Sequence, residues 1–127
     1  MDTTTATAIN TIESPKTNYY APISKEMILD YLRELKPQLE KDGITKLGLF
    51  GSYANGYANR TLSDIDILIE TNNEFHKKFS GSSYFAYLNY IAENIETKFH
   101  RDIDICNIKY YNGKKDKKDF FMGAIYV

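Results

Sequence analysis

The segment Ser63-Asp64-Ile65-Asp66-Ile67-Leu68-Ile69 decides how the rest of the chain is read. Acidic and apolar residues alternate through its first half, and in a strand residues two apart share a face. Asp64 and Asp66 therefore project side by side, while Ile65, Ile67 and Ile69 face the opposite way into a core. Two adjacent anions repel each other, a cost relieved by a cation or a shared proton. Their oxygen donors and their spacing suit a hard divalent ion such as magnesium. The sequence repeats the device at Asp102-Ile103-Asp104-Ile105, where Asp102 and Asp104 share a face. If the two strands are neighbours, at least one of the second pair reaches the first. Three carboxylates then hold two metal ions about 3.5–4 Å apart, the arrangement that clamps an attacking and a leaving oxygen in phosphoryl transfer.

An Asp-x-Asp pair by itself is usually only the polar half of an alternating strand. The loop Gly51-Ser52-Tyr53-Ala54-Asn55-Gly56, leaving the apolar stretch Ile44 to Phe50, gives this one more weight. Gly51 permits close approach of the backbone to a ligand. Ser52 offers a hydroxyl, and backbone N–H groups at a helix start favour phosphate.

The flanking sequence supplies the scaffold. Ser24 is a good N-cap, and Ile28, Tyr31, Leu32, Leu35 and Leu39 recur at helical steps. Pro37 should kink or end that helix, and Gly43 stops it. Ile44 to Phe50 reads as a short buried strand and Ser63 to Glu70 as a second. Residues 71–82 are mostly polar and read as a loop. From Ser83, the positions Phe85, Leu88, Ile91, Ala92, Ile95 and Phe99 mark a second helix, and a third strand runs from Asp102 to Ile108. Asn112-Gly113 signals a turn, Lys114 to Lys118 is a charged stretch, and Asp119 to Val127 is an amphipathic end. This order predicts a small α/β (α+β) fold, a mixed sheet flanked by helices.

With 127 residues, 14.7 kDa and a net charge of −1, the chain accommodates one domain. Its 43% hydrophobic and 26% charged residues are ordinary for a soluble globular protein. No apolar run approaches the roughly 20 residues of a membrane span. Sixteen basic residues against seventeen acidic argue against stable docking on nucleic acid. A single cysteine, Cys106, excludes a disulfide framework or a Cys-rich zinc site and fits a reducing, cytoplasmic setting. Residues 1–22 hold small and polar residues with Pro15 and Pro22 and no export signal. They read as a mobile or loosely attached tail, leaving residues 23–127 as the domain.

Other candidates have plainer explanations. His76 and His100 are isolated and read as surface or packing residues, and Cys106 reads as core filling. The cluster Lys114, Lys115, Lys117 and Lys118 is interrupted by Asp116 and reads as a solvated loop. Eleven tyrosines reflect a composition rich in Lys, Asn, Ile and Tyr, although clustered tyrosines also favour interfaces.

The stretch from Leu47 to Gly56 (Leu-Gly-Leu-Phe-Gly-Ser-Tyr-Ala-Asn-Gly), continued by Ser63-Asp-Ile-Asp-Ile-Leu-Ile, resembles the signature of polymerase-β-like nucleotidyltransferases. More narrowly it resembles the minimal nucleotidyltransferases, or MNT proteins, which are typically antitoxins paired with a HEPN-domain toxin. The resemblance covers the chain from about Ile23 to its C-terminus and implies the polymerase-β-like fold. It implies that Gly51, Ser52 and Ser63 bind the nucleotide and that Asp64 and Asp66 bind magnesium. It implies a third ligand on the later strand, which aligns with Asp104 rather than Asp102. Two magnesium ions, ATP as donor and a tyrosine hydroxyl of a cognate HEPN toxin as acceptor follow from the same resemblance, as does a hetero-oligomer with that toxin. The alternatives are an antitoxin that acts mainly by direct binding, or a small-molecule nucleotidyltransferase of the aminoglycoside type. The last ranks lowest, because such enzymes usually hold the acceptor with an additional helical domain. The chain departs from the family pattern at Asn55, where an arginine is common, and in a loop one residue longer before Asp64, in which Arg60 is a substitute cation.

Overall fold

In a computed structural model, residues 21–58, 63–111 and 121–127 are described. Ser24 opens helix α1 (Lys25–Lys41), its Oγ accepting the Met27 N–H at 3.2 Å. Ile28, Leu32 and Leu39 of the expected stripe are buried, Leu29 is buried beside them, and Tyr31 and Leu35 are half-buried against the same core. Pro37 does not end the helix. It lies on the exposed side, as does Arg33, whose carbonyl loses its helical donor to the proline.

Strand β1 (Ile44–Phe50) leads directly into the short helix α2 (Gly51–Asn55), and β2 (Ile65–Thr71) runs back antiparallel to β1. Residues 71–82 are not the loop that their polarity predicts, because they contain helix α3 (Asn73–Lys78). Asn72 caps it by accepting the Phe75 N–H at 2.9 Å. The fully buried Phe75 anchors it, with the Phe79 and Tyr87 rings 4.9 and 5.0 Å away. One buried ring fixes a helix this short, so no apolar period announces it.

Helix α4 (Ser82–Phe99) follows, then β3 (Ile103–Asn107), a 3-10 turn (Ile108–Tyr111) and β4 (Ile125–Tyr126). Tyr87 Oη donates to Asp42 Oδ2 at 2.7 Å and ties α4 to the end of α1. The sheet order is β3-β2-β1-β4, with β2 and β3 parallel and the other pairs antiparallel, so the sheet is mixed as expected. Among the described residues of the amphipathic C-terminal stretch, the two-residue β4 is the strand, and it pairs with Gly48 and Leu49. The Asn112-Gly113 turn, the lysine cluster, Arg60 and residues 1–20 lie outside the described residues.

The two faces of the sheet differ. Leu47, Leu49, Ile65, Ile67 and Ile69 join α1 and α4 in the main core. On the other face Phe50 and Leu68 pack with Ile108 and Phe121 in a smaller one. Phe75→Ala should cost about 3–5 kcal/mol of stability, the range for emptying a buried aromatic site. A urea denaturation curve checks this, and a loss below about 1 kcal/mol would contradict the anchoring role.

Candidate active site

Paired residues of neighbouring strands lie on the same face of a sheet. Phe50 pairs with Asp66, and Asp66 pairs with Asp104, so the three form one row across β1, β2 and β3. The next row on that face is Gly48, Leu68 and Cys106. Asp66 and Asp104 thus stand beside each other at the end of β2 and β3 where both strands begin. Asp64 is exposed and immediately precedes β2, with the half-buried Ser63 before it. Asp102 is exposed ahead of β3, and its carbonyl accepts the Ile65 N–H at 2.9 Å.

The half-buried Asp66 feels both neighbours. Burial, then the negative charge of Asp104, then that of Asp64, push its carboxyl up to about 6. Among the described residues, no three acidic, histidine or cysteine side chains already enclose a cation position. Three like charges with nothing between them repel, which works against such a closed set. The donors nonetheless suit a hard divalent cation, being all carboxylate oxygen, with Asp66 and Asp104 paired across neighbouring strands.

Gly51 makes the approach to this cluster possible. It has φ +73°, and a Cβ there would overlap the Asp66 Oδ2. The backbone therefore turns from β1 into α2 directly against the carboxylate, at a position only glycine fills without strain. No side chain caps α2, and Ser52 is half-exposed in its first turn. Its first N–H groups have no partner within the helix.

Asn55 has a structural part that the comparison with the family arginine did not suggest. Its Nδ2 donates to the Gly51 carbonyl at 2.9 Å and to the Met122 carbonyl at 3.1 Å. Gly123, at φ +78°, has no Cβ to collide with the Asn55 amide. The side chain links the turn beside the carboxylates to the C-terminal segment. Arg101 also went unremarked in the sequence. It is buried, its Nη1 donates to the Phe99 and His100 carbonyls at 3.0 and 3.1 Å, and its Nη2 donates to the Ala21 carbonyl at 2.7 Å. The signal was faint, a lone arginine just past an apolar helix end, where cations satisfy terminal carbonyls. Cys106 is half-buried on the carboxylate face, and burial raises its thiol, so it is no ready nucleophile. His76 is a packing residue as expected, its Nε2 2.7 Å from Thr71 Oγ1.

The raised Asp66 carboxyl makes a prediction about pH. Because its folded value lies above its ordinary 3.8, the folded state holds the proton more tightly, and stability falls as pH rises through this window to about 6. Asp66→Asn removes that penalty. Without divalent cations it should stabilise the protein by about 1 kcal/mol at pH 7–8, a figure discounted for partial exposure. The gain should vanish below pH 4. Thermal melts across pH check this, and a destabilised variant at pH 7.5 would contradict it.

The family comparison agrees with this geometry. The model of the nucleotidyltransferase domain matches residues 26–127, which include α2, all four strands and the three carboxylates. Comparisons with curated proteins and with solved structures give no match. Among the described residues no helix is long and apolar enough to cross a membrane. The order of elements, the glycine-serine turn and the match over most of the chain lead to one conclusion: this chain belongs to the nucleotidyltransferase domain family.

Proposed function

We propose that the chain is a magnesium-dependent protein adenylyltransferase, an antitoxin that transfers AMP from ATP to a tyrosine hydroxyl of a cognate HEPN-type toxin in the cytoplasm. The observation that carries the catalytic part is the pairing of Asp66 with Asp104 beside Gly51. Family membership supports nucleotidyl transfer. The toxin partner and the tyrosine acceptor rest on the resemblance to minimal nucleotidyltransferases.

Asp64, Asp66 and Asp104 would hold magnesium. The chemistry that magnesium supplies in such a site is neutralisation of triphosphate charge and a lowered pKa of the acceptor hydroxyl. The protein's own groups position the reactants. Gly51, without a Cβ, lets the turn into α2 pack directly against Asp66, and the N–H groups at the start of α2 would face phosphate oxygens. The hydroxyls of Ser52 and Ser63 hold the nucleotide from either end of the intervening loop. Asn55 fixes the Gly51 carbonyl and so keeps that turn in place. The tyrosine oxygen attacks the α-phosphorus in line, the bond to the β-phosphate oxygen breaks, and pyrophosphate leaves. Catalysis of this kind comes from orientation and charge stabilisation, with no covalent enzyme intermediate.

The test is to incubate the protein with α-labelled ATP, magnesium and the product of the adjacent gene, alongside Asp64→Ala/Asp66→Ala. Label should appear on a tyrosine of the partner and fall by on the order of 100-fold or more in the double variant. Removing two repelling anions should leave the fold intact, and circular dichroism checks this. Neutralisation of the partner that survives in the double variant, with no label in either protein, would replace this reading by direct binding.

A further inference from the structure

β3 is an edge strand, and its outer side has no partner among the described residues. In a parallel ladder a residue turns its N–H and C=O to the same side. The Asp102 carbonyl faces β2, accepting from Ile65, so Asp104 and Cys106 face β2 as well. Ile103 and Ile105 therefore present their N–H and C=O groups outward. Such an edge is a template for an extended segment of another protein, in which main-chain hydrogen bonds give affinity and side-chain pockets give choice.

A strand added here continues the row Phe50, Asp66 and Asp104 by one residue on the carboxylate face. That residue stands two strand spacings, about 10 Å, from β2. A tyrosine carries its hydroxyl at the far end of a ring and reaches across Asp104 toward Asp66. Serine and threonine hold theirs on Cβ and stop short of it.

A cavity of about 640 Å³ opens along the same edge, lined by Tyr84, Phe85, Leu88, Ile105, Cys106 and Tyr110, among others. It begins one residue along the strand from Asp104. Phe85 and Tyr110 on its rim are 67% and 53% exposed. The polar groups at its floor are already occupied. Asn107 Nδ2 donates to Thr71 Oγ1 at 2.9 Å and to Tyr84 Oη at 3.1 Å, and His76 bonds the same Thr71 hydroxyl. With those partners taken, the cavity offers ring and aliphatic surface, which suits an apolar side chain opposite Ile105.

Charge selects the occupant. Asp104 and Asp102, the latter just ahead of β3, are both exposed, so the incoming segment gains from a basic residue opposite Asp102. A second copy of the chain fits poorly. Antiparallel pairing of Ile103 and Ile105 with the same residues of a copy centres on Asp104 and sets that carboxylate directly opposite its own mate, a destabilising juxtaposition.

We propose that a segment of the protein acceptor docks on the outer edge of β3 as an added antiparallel strand, with its tyrosine opposite Asp104, the preceding apolar residue in the aromatic cavity and a basic residue opposite Asp102. The acceptor role of that tyrosine rests on the catalytic reading above, whereas the docking does not.

The probe is the end-capped peptide Thr-Val-Leu-Tyr-Thr-Lys-Thr, added at millimolar concentration to the full-length protein without nucleotide or magnesium. Amide exchange at Ile103 and Ile105, followed by nuclear magnetic resonance, should slow by about tenfold. Asp104 and Cys106, which already face β2, should change little. Glutamate in place of the peptide's lysine, or Phe85→Ala in the protein, should weaken binding. Exchange unchanged at Ile103 and Ile105, or binding indifferent to both replacements, would overturn the proposal. Slowing that follows protein concentration without peptide would also overturn it and give the edge to a second copy. With α-labelled ATP and magnesium, label should enter the tyrosine peptide and not its serine version, and label on the serine version would overturn the placement opposite Asp104. A docked peptide that takes no label fails the catalytic reading and leaves the docking standing, and label without slowed exchange does the reverse.

Discussion

The parallel register of β2 on β3 is the constraint on which the site depends. It sets Asp66 beside Asp104 on one face and, one residue along, Ile67 beside Ile105 on the other. The two consequences are inseparable, because a slip of one residue would send every side chain of a strand to the opposite face. Ile65, Ile67 and Ile69 are completely buried. Each contributes about 1.5–3 kcal/mol by leaving water, which outweighs the repulsion between partly solvated carboxylates. The hydrophobic face thus holds the acidic face in an arrangement that it would not adopt unaided.

The remaining architecture serves that row from its two sides. Glycine at position 51 brings the start of α2 against Asp66, and Asn55 ties the same turn to the last described segment. At the other side, Arg101 gathers the final carbonyls of α4 and the Ala21 carbonyl just ahead of β3. A buried guanidinium that bonds three carbonyls exchanges its water for fixed acceptors. Both clamps join segments distant in sequence, and both act within a few residues of a carboxylate.

Much of this was readable beforehand. The alternation through Asp64 to Ile69 gave strand, face and core together, and Ser24 marked the helix start through capping chemistry alone. The mixed sheet followed from a connection between β1 and β2 too short for a crossover helix. What escaped is non-local. Helix α3 rests on one aromatic residue and a capping asparagine in a polar stretch, a pattern indistinguishable from a loop until Phe75 is seen among the rings of Phe79, Tyr84 and Tyr87. Asn55 read as the loss of a cation because its acceptor, the Met122 carbonyl, is 67 residues away. The aromatic cavity draws its walls from α3, α4, β3 and the turn after it, so no single window of sequence contained it.

The most direct measurement is the titration of the Asp66 carboxyl carbon by nuclear magnetic resonance, without and with magnesium. In the metal-free protein the resonance should titrate near pH 6. Asp104→Asn should lower that midpoint, and magnesium in the native protein should drive it below the ordinary carboxylate range. A midpoint near the ordinary 3.8 that ignores both Asp104 and magnesium would contradict the carboxylate row as a cation site.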